Sequence, residues 1–231
     1  MNKSIHSGFE NLTPNPSLLI FRPKKRTSST RFSDHLYGII AAVIKGLERL
    51  FSQNKKLFLL YGTLFYHKVL QKELAEKNLP HGARILHIGC GALPYTAYYL
   101  ARRGYSIDAV DYDHNAVTRA QRLIHSLGLG SQIRVFKQNG THTSSKSYDA
   151  IWISLHVADK NKVLINTVKQ ARSGTWIIYR EPRPWLSLIY KNVKPSPTLD
   201  ANRLSSVNHR LGKKSVSLQI PERIPSYAKN D

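Results

Sequence analysis

The 231-residue sequence predicts an α/β chain: a doubly wound, mostly parallel sheet with an N-terminal helical extension. Three observations carry this reading. Short apolar runs alternate with segments of helical period between residues 81 and 180. A glycine turn, Gly89-Cys90-Gly91, joins the first apolar run to the first of these helices. The next run ends in an acid, Asp111. Strand and helix in strict alternation give right-handed crossovers and a parallel sheet covered on both faces.

Taken in order, residues 1–34 are rich in Ser, Thr, Asn and Pro and carry the basic cluster "RPKKR", so they read as a flexible basic arm. Residues 35–80 read as a helical cap. Leu36, Ile39, Ile40, Val43, Ile44, Leu47, Leu50 and Phe51 recur at helical spacing, and a second helix is expected from about Lys55 to Asn78. Packing on the domain is the favoured role for both; a place for the first on a membrane surface is the alternative. The core, residues 81–190, then reads as strand 83–88, helix 94–103, strand 105–110, helix 114–127 and strand 132–136. Strand 148–155, helix 160–171 and strand 175–179 complete it. Residues 191–231 read as a basic tail broken by Pro195, Pro197, Pro221 and Pro225.

Composition narrows the function classes. The 35 Lys and Arg against 14 Asp and Glu leave a formal charge of +21 spread along the chain, a field that attracts RNA or an anionic membrane surface, with the two basic ends as candidate contacts. A single cysteine excludes an internal disulfide. No apolar run of about 18 residues and no leader-like N-terminus are visible, so a cytoplasmic protein is expected, with peripheral membrane contact open to its basic ends. No cluster of His, Cys and acids has metal-ligand spacing.

The glycine turn is the most informative stretch. In an open parallel sheet, ligands sit beyond the carboxyl ends of the strands, where this turn lies. Pro94 suits the first turn of the following helix, whose free N–H groups favour an electron-rich ligand group. Asp111, at the end of the second strand, is placed to accept hydrogen bonds from ribose hydroxyls. Pro94 stands where a dinucleotide fingerprint needs its third glycine, and no P-loop lysine motif is present.

This layout resembles the Rossmann-like fold of class I S-adenosylmethionine-dependent methyltransferases, over residues 82–185. The resemblance implies S-adenosylmethionine as cofactor. Gly89, Cys90, Gly91 and Pro94 would lie at its methionine end, Asp111 at the ribose and Tyr112 beside the adenine. Asn139 and Gly140 of "KQNG" would also lie near the base. One departure is His87, which stands where that class carries an acid; it reads equally as a ligand contact or as a core histidine. The runs "IGCGALPYTAYYLA", "VDYDHNAV" and "YDAIWISLHV" are similar to the nicotianamine synthase branch of the fold, whose members transfer the aminobutanoyl group to an amine and release methylthioadenosine.

Three side chains are candidates for chemistry. His156, just past the fourth strand, stands where substrate should meet cofactor and has the ordinary pKa of a neutral-pH base. Tyr95 could border the sulfonium. Glu181 could bind a cationic substrate or pair with Arg180 or Arg183. Cys90 sits inside the turn and is no catalytic thiol. The fourth strand lacks the Asp/Asn-Pro-Pro-aromatic signature that grips planar nitrogens. The readings rank as methyl transfer to an unidentified, small-molecule acceptor first and aminobutanoyl transfer to a small amine second. A non-catalytic protein binding RNA or a membrane surface comes third.

Overall fold

Seven strands form one sheet in the order β3-β2-β1-β4-β5-β7-β6. The structure is a computed structural model that describes residues 54–75, 77–182, 203–208 and 213–221, with the single positions 46 and 51. The basic arm 1–34, almost all of the first predicted helix and much of the predicted tail lie outside the described residues.

Two helices lead in, α1 (Lys55–Phe65) and α2 (His67–Leu74). The sheet domain continues with β1 (Arg84–Ile88), α3 (Tyr95–Ala101), β2 (Ser106–Asp111), α4 (His114–Ser126) and β3 (Ile133–Lys137). A short 3-10 turn (Gly140–His142), β4 (Ala150–Ile153), α5 (Lys160–Gln170) and β5 (Trp176–Pro182) follow, then β6 (Arg203–Asn208) and β7 (Lys213–Gln219). β1 pairs in parallel with β2 on one side and β4 on the other, and β4 pairs in parallel with β5. The central strands are apolar without alternation, as both faces are covered. Ile85, Ala109, Trp152 and Ile178 pack with α3, α4 and Phe58 of α1. Leu86, Ile88, Ile151, Ile153 and Ile177 pack with Val163, Leu164 and Val168 of α5.

The expected helix 55–78 is two helices. Tyr66 adopts φ −122°, ψ −26°, outside the helical region, and the chain resumes as α2 without a side-chain cap. The break turns the Tyr66 ring toward Tyr61 and Tyr95, with centroids 5.7 and 6.3 Å away. α1 lies directly on Tyr95: a β-carbon on Gly62 would fall 1.7 Å from that ring. The helix predicted from Pro94 starts at Tyr95, with Pro94 as its N-cap.

The larger correction concerns the C-terminal region, read as a tail. β7 inserts between β5 and β6 and runs antiparallel to both, Tyr179 facing Val216 and Ile178 facing Ser217. The physical reason is a period-two pattern in "SVSLQ". Val216 and Leu218 are fully buried against the α5 side of the sheet, while Ser215 and Ser217 are buried on the other face. Flanking prolines and charges mask that pattern in the sequence. No helix among the described residues is long and apolar enough to cross a membrane.

Leu218→Ala tests this placement. Loss of a fully buried leucine lowers stability by about 2–5 kcal/mol, read by urea unfolding; a solvated tail would show no change.

Candidate active site

One cavity of about 450 Å³ opens at the carboxyl ends of β1, β2, β4 and β5. Its two sides are built by different means. On the first, the chain leaves β1 through Gly89 (φ 79°) and Gly91 (φ 63°), left-handed conformations that favour glycine. The Gly89 and Cys90 amides donate to the Val110 carbonyl at 2.8 and 3.1 Å, tying the turn to β2. The Gly91 amide donates to Asp111 Oδ2 at 2.8 Å and the Asp113 amide to Asp111 Oδ1 at 3.0 Å. A carboxylate oxygen accepts about two bonds, so each keeps capacity for a ligand hydroxyl. A β-carbon on Gly91 would meet nothing within 4 Å, so the turn faces open space wide enough for a ligand. Tyr112 stands at the rim, 71% exposed. Asn139 caps the 3-10 turn, its Oδ1 accepting from the Thr141 amide and hydroxyl, which leaves its NH₂ for a ligand.

The second side is a buried polar cluster drawn from five elements. Arg180 of β5 donates from Nε and Nη2 to both carboxylate oxygens of Glu73 on α2, at 2.9 and 2.8 Å. Trp152 Nε1 of β4 donates to Glu73 Oε2 at 2.9 Å, and the Ser215 hydroxyl of β7 donates to Oε1. Arg180 Nη1 donates to Thr96 Oγ1 of α3 at 3.2 Å. Burial alone would raise the Glu73 carboxyl, but the Arg180 charge and these donors hold it below the usual carboxylate range. With four donors on its oxygens, Glu73 is a holder of Arg180 and not an available base. Arg180, His87, Ser154, Thr96, Tyr61 and Tyr66 line this side. His87 meets Ser154 Oγ through Nε2 at 2.9 Å, and its Nδ1 has no partner among the described residues. Burial, and then the Arg180 charge, push its pKa down to about 3, so it is neutral.

The rim between the sides is also anchored. Lys160 Nζ donates to the Leu155 carbonyl at 2.6 Å and the Arg180 carbonyl at 2.7 Å, which clamps the loop bearing His156 to β5. Burial brings this amine down to about 8.

The predicted site residues divide clearly. Gly89, Cys90, Gly91, Asp111, Tyr112, Asn139, Gly140, Tyr95 and His156 all border this cavity. Pro94 is not among the residues that line it and stands at the N-cap position of α3, with no side-chain cap hydrogen bond. Glu181 is also outside, 3.7 Å from Lys214 on β7, because successive strand residues face opposite sides of the sheet and Arg180 takes the pocket side. The Cys90 thiol is 5% exposed, and burial and the Asp111 charge raise its pKa, keeping it protonated. Tyr95 is buried among aromatic rings. Among the described residues no metal-binding cluster occurs.

Glu73 and Arg180 went unseen in the sequence, though both left a signal. Glu73 falls on the apolar stripe of its helix, three residues after Leu70, and Arg180 ends an apolar strand. A charge in either place needs a buried partner.

The sheet order and the glycine-turn pocket define a class I S-adenosylmethionine-type transferase fold, and solved structures bear this out at the level of fold. MtNAS in complex with S-adenosylmethionine, as a point mutant, superposes with a TM-score of 0.64 at 19% identity, covering 77% of this chain and 71% of that one. An RNA methyltransferase from Salinibacter ruber in complex with S-adenosylhomocysteine gives 0.54 at 13% identity, covering 69% and 95%. A model of the nicotianamine synthase protein family matches residues 47–216, and the chain belongs to that family. The L-histidine 2-aminobutanoyltransferase of Yersinia pestis is 31% identical over 116 residues, 50% of this chain and 43% of that protein. The sarcosine/dimethylglycine N-methyltransferase of Aphanothece halophytica is 26% identical over 111 residues, 46% and 40%. The matches thus span less than half the length of either curated relative.

Two predictions follow from the buried cluster. Glu73→Ala strands a guanidinium and lowers stability by about 3–5 kcal/mol, whereas Glu73→Leu with Arg180→Met strands no charge and costs less, the remaining loss coming from the Trp152 and Ser215 donors; chemical denaturation separates the two. The His87 pKa is lower in the folded chain than unfolded. Its contribution is therefore complete above the unfolded value of about 6.5 and is lost as pH falls toward 3, at up to about 1.4 kcal/mol per pH unit. Stability curves at pH 7, 6 and 5 should show that slope, and His87→Phe should flatten it.

Proposed function

We propose that this chain binds S-adenosylmethionine and transfers its aminobutanoyl group to a small amine, releasing methylthioadenosine. The observation that carries the reading is the extent of the family match. It runs from the cap helices to β7 and so takes in Glu73, Arg180 and Ser215 as well as the glycine turn. The likeness to an aminobutanoyltransferase supports the same assignment. Methyl transfer, placed first on sequence grounds, becomes the second reading; the likeness to an N-methyltransferase favours it.

The residues fit the donor. Asp111 has acceptor capacity for ribose hydroxyls, Tyr112 offers a ring to the adenine and Gly91 leaves room for the chain beyond. A bound sulfonium supplies an activated carbon, so the protein's work is to align the nucleophile and take up its proton. In the proposed transfer the acceptor nitrogen bonds to Cγ of the donor, the Cγ–S bond breaks and its electron pair stays on sulfur. His156, at the rim, is the assigned acceptor of the proton released from nitrogen. The wall of Tyr61, Tyr66 and Tyr95 limits water near the reacting atoms.

Incubation with S-adenosylmethionine and a mixture of small amines, followed by mass spectrometry of the nucleoside product, tests the assignment. Methylthioadenosine above its spontaneous background supports it; S-adenosylhomocysteine in its place selects methyl transfer. Asp111→Ala should weaken S-adenosylmethionine binding by about 10- to 100-fold, the range for hydrogen bonds to a charged group, measured by calorimetry.

A further inference from the structure

The second side of the pocket holds a buried cation with unused hydrogen-bonding capacity. A guanidinium carries five N–H donors. Arg180 engages its Nε–H and one Nη2–H with Glu73, and one Nη1–H with Thr96. Among the described residues, one N–H on each terminal nitrogen has no acceptor, although Arg180 is only 4% exposed and borders the cavity. Buried donors left unpaired are unfavourable, and a pair of them on one pocket wall points to a ligand group. Among the described residues, neither the charged nor the titratable neighbour of the guanidinium can serve. The oxygens of Glu73 are occupied, and His87, whose Nδ1 is also unpartnered, carries no negative charge. A group with two acceptor oxygens and a negative charge completes the site, and a carboxylate matches the guanidinium fork.

We propose that Arg180 binds the α-carboxylate of the donor, the methionine end of S-adenosylmethionine, with Glu73 fixing the orientation of the guanidinium. The donor is favoured over the acceptor as the source of this carboxylate for a positional reason. Thr96 lies in the first turn of α3, five residues past Gly91, and His87 stands two residues before Gly89. Both flank the glycine turn directly, so the guanidinium beside Thr96 faces the donor's own chain. The consequence is specificity: the pocket would distinguish S-adenosylmethionine from its decarboxylated form, which keeps the sulfonium, the ammonium and the nucleoside. This inference rests on the donor assigned above.

The test is calorimetric binding of three ligands, S-adenosylmethionine, decarboxylated S-adenosylmethionine and methylthioadenosine. The proteins are the wild type and the paired variant Glu73→Leu with Arg180→Met, chosen because removing both charges avoids stranding either. The wild type should prefer S-adenosylmethionine over the decarboxylated compound by about 10- to 100-fold. The paired variant should bind those two alike, with methylthioadenosine, which lacks the whole aminobutanoyl chain, as the reference for an intact nucleoside side. Equal binding of the two donors by the wild type, or a preference kept in the variant, overturns the proposal. So does an unchanged preference accompanied by a raised KM for the acceptor, which would make the acceptor the bearer of the carboxylate. If the paired variant alone loses methylthioadenosine, Arg180→Lys decides: a preference reduced several-fold supports the proposal, an unchanged one overturns it. If the wild type binds none of the three, the donor assignment falls and the inference with it.

Discussion

The buried pair of Glu73 and Arg180 is the interaction on which the rest of the molecule depends. Two opposite charges taken out of water lose several kcal/mol of hydration each, and their attraction balances that only with good geometry and no idle lone pairs. Here the geometry is bidentate and the acid also receives Trp152 and Ser215. These contacts join α2, β4, β5 and β7 at one point, and Thr96 adds α3. The cap and the antiparallel strand are therefore parts of the pocket wall. Removing the cap would leave Arg180 without its partner in the core, and removing the strand would leave Glu73 one donor short.

The pocket has two sides with different physical characters. The side around the glycine turn is made of backbone: glycine conformations, main-chain amides and one carboxylate that braces the turn while keeping lone pairs free. The opposite side is made of side chains held by one another, with a neutral histidine, a restrained guanidinium and a wall of tyrosines. Lys160 connects them by fixing the main chain on both sides of the rim. A backbone-built side suits a ligand feature common to a whole fold class. A side-chain-built side is where an individual chain differs, as His87 in place of an acid illustrates.

This division also explains what could be read from the residues alone. Gly89, Gly91 and Asp111 lie close together in the chain and the turn they form follows from local geometry, so the succession of strands and helices up to β5 and the glycine turn were legible. Glu73 and Arg180 are 107 residues apart and Glu73 and Ser215 142, and nothing local specifies such pairings. β7 was hidden because five alternating residues among prolines and lysines are too short a signal beside a strong basic bias. Pro94 starts α3, as its position after the turn implies, but does not line the cavity. Glu181 was one residue out of phase: on a strand, neighbours face opposite ways, and Arg180 held the pocket side.

A crystal structure of the chain with S-adenosylmethionine bound tests the two-sided pocket most directly. Ribose hydroxyls should lie on Asp111, adenine against Tyr112, the sulfonium over Gly91 and the methionine end on the side held by Glu73 and Arg180. A donor whose methionine end turns away from that cluster, or whose nucleoside lies outside the Gly89–Asp111 cradle, would contradict it.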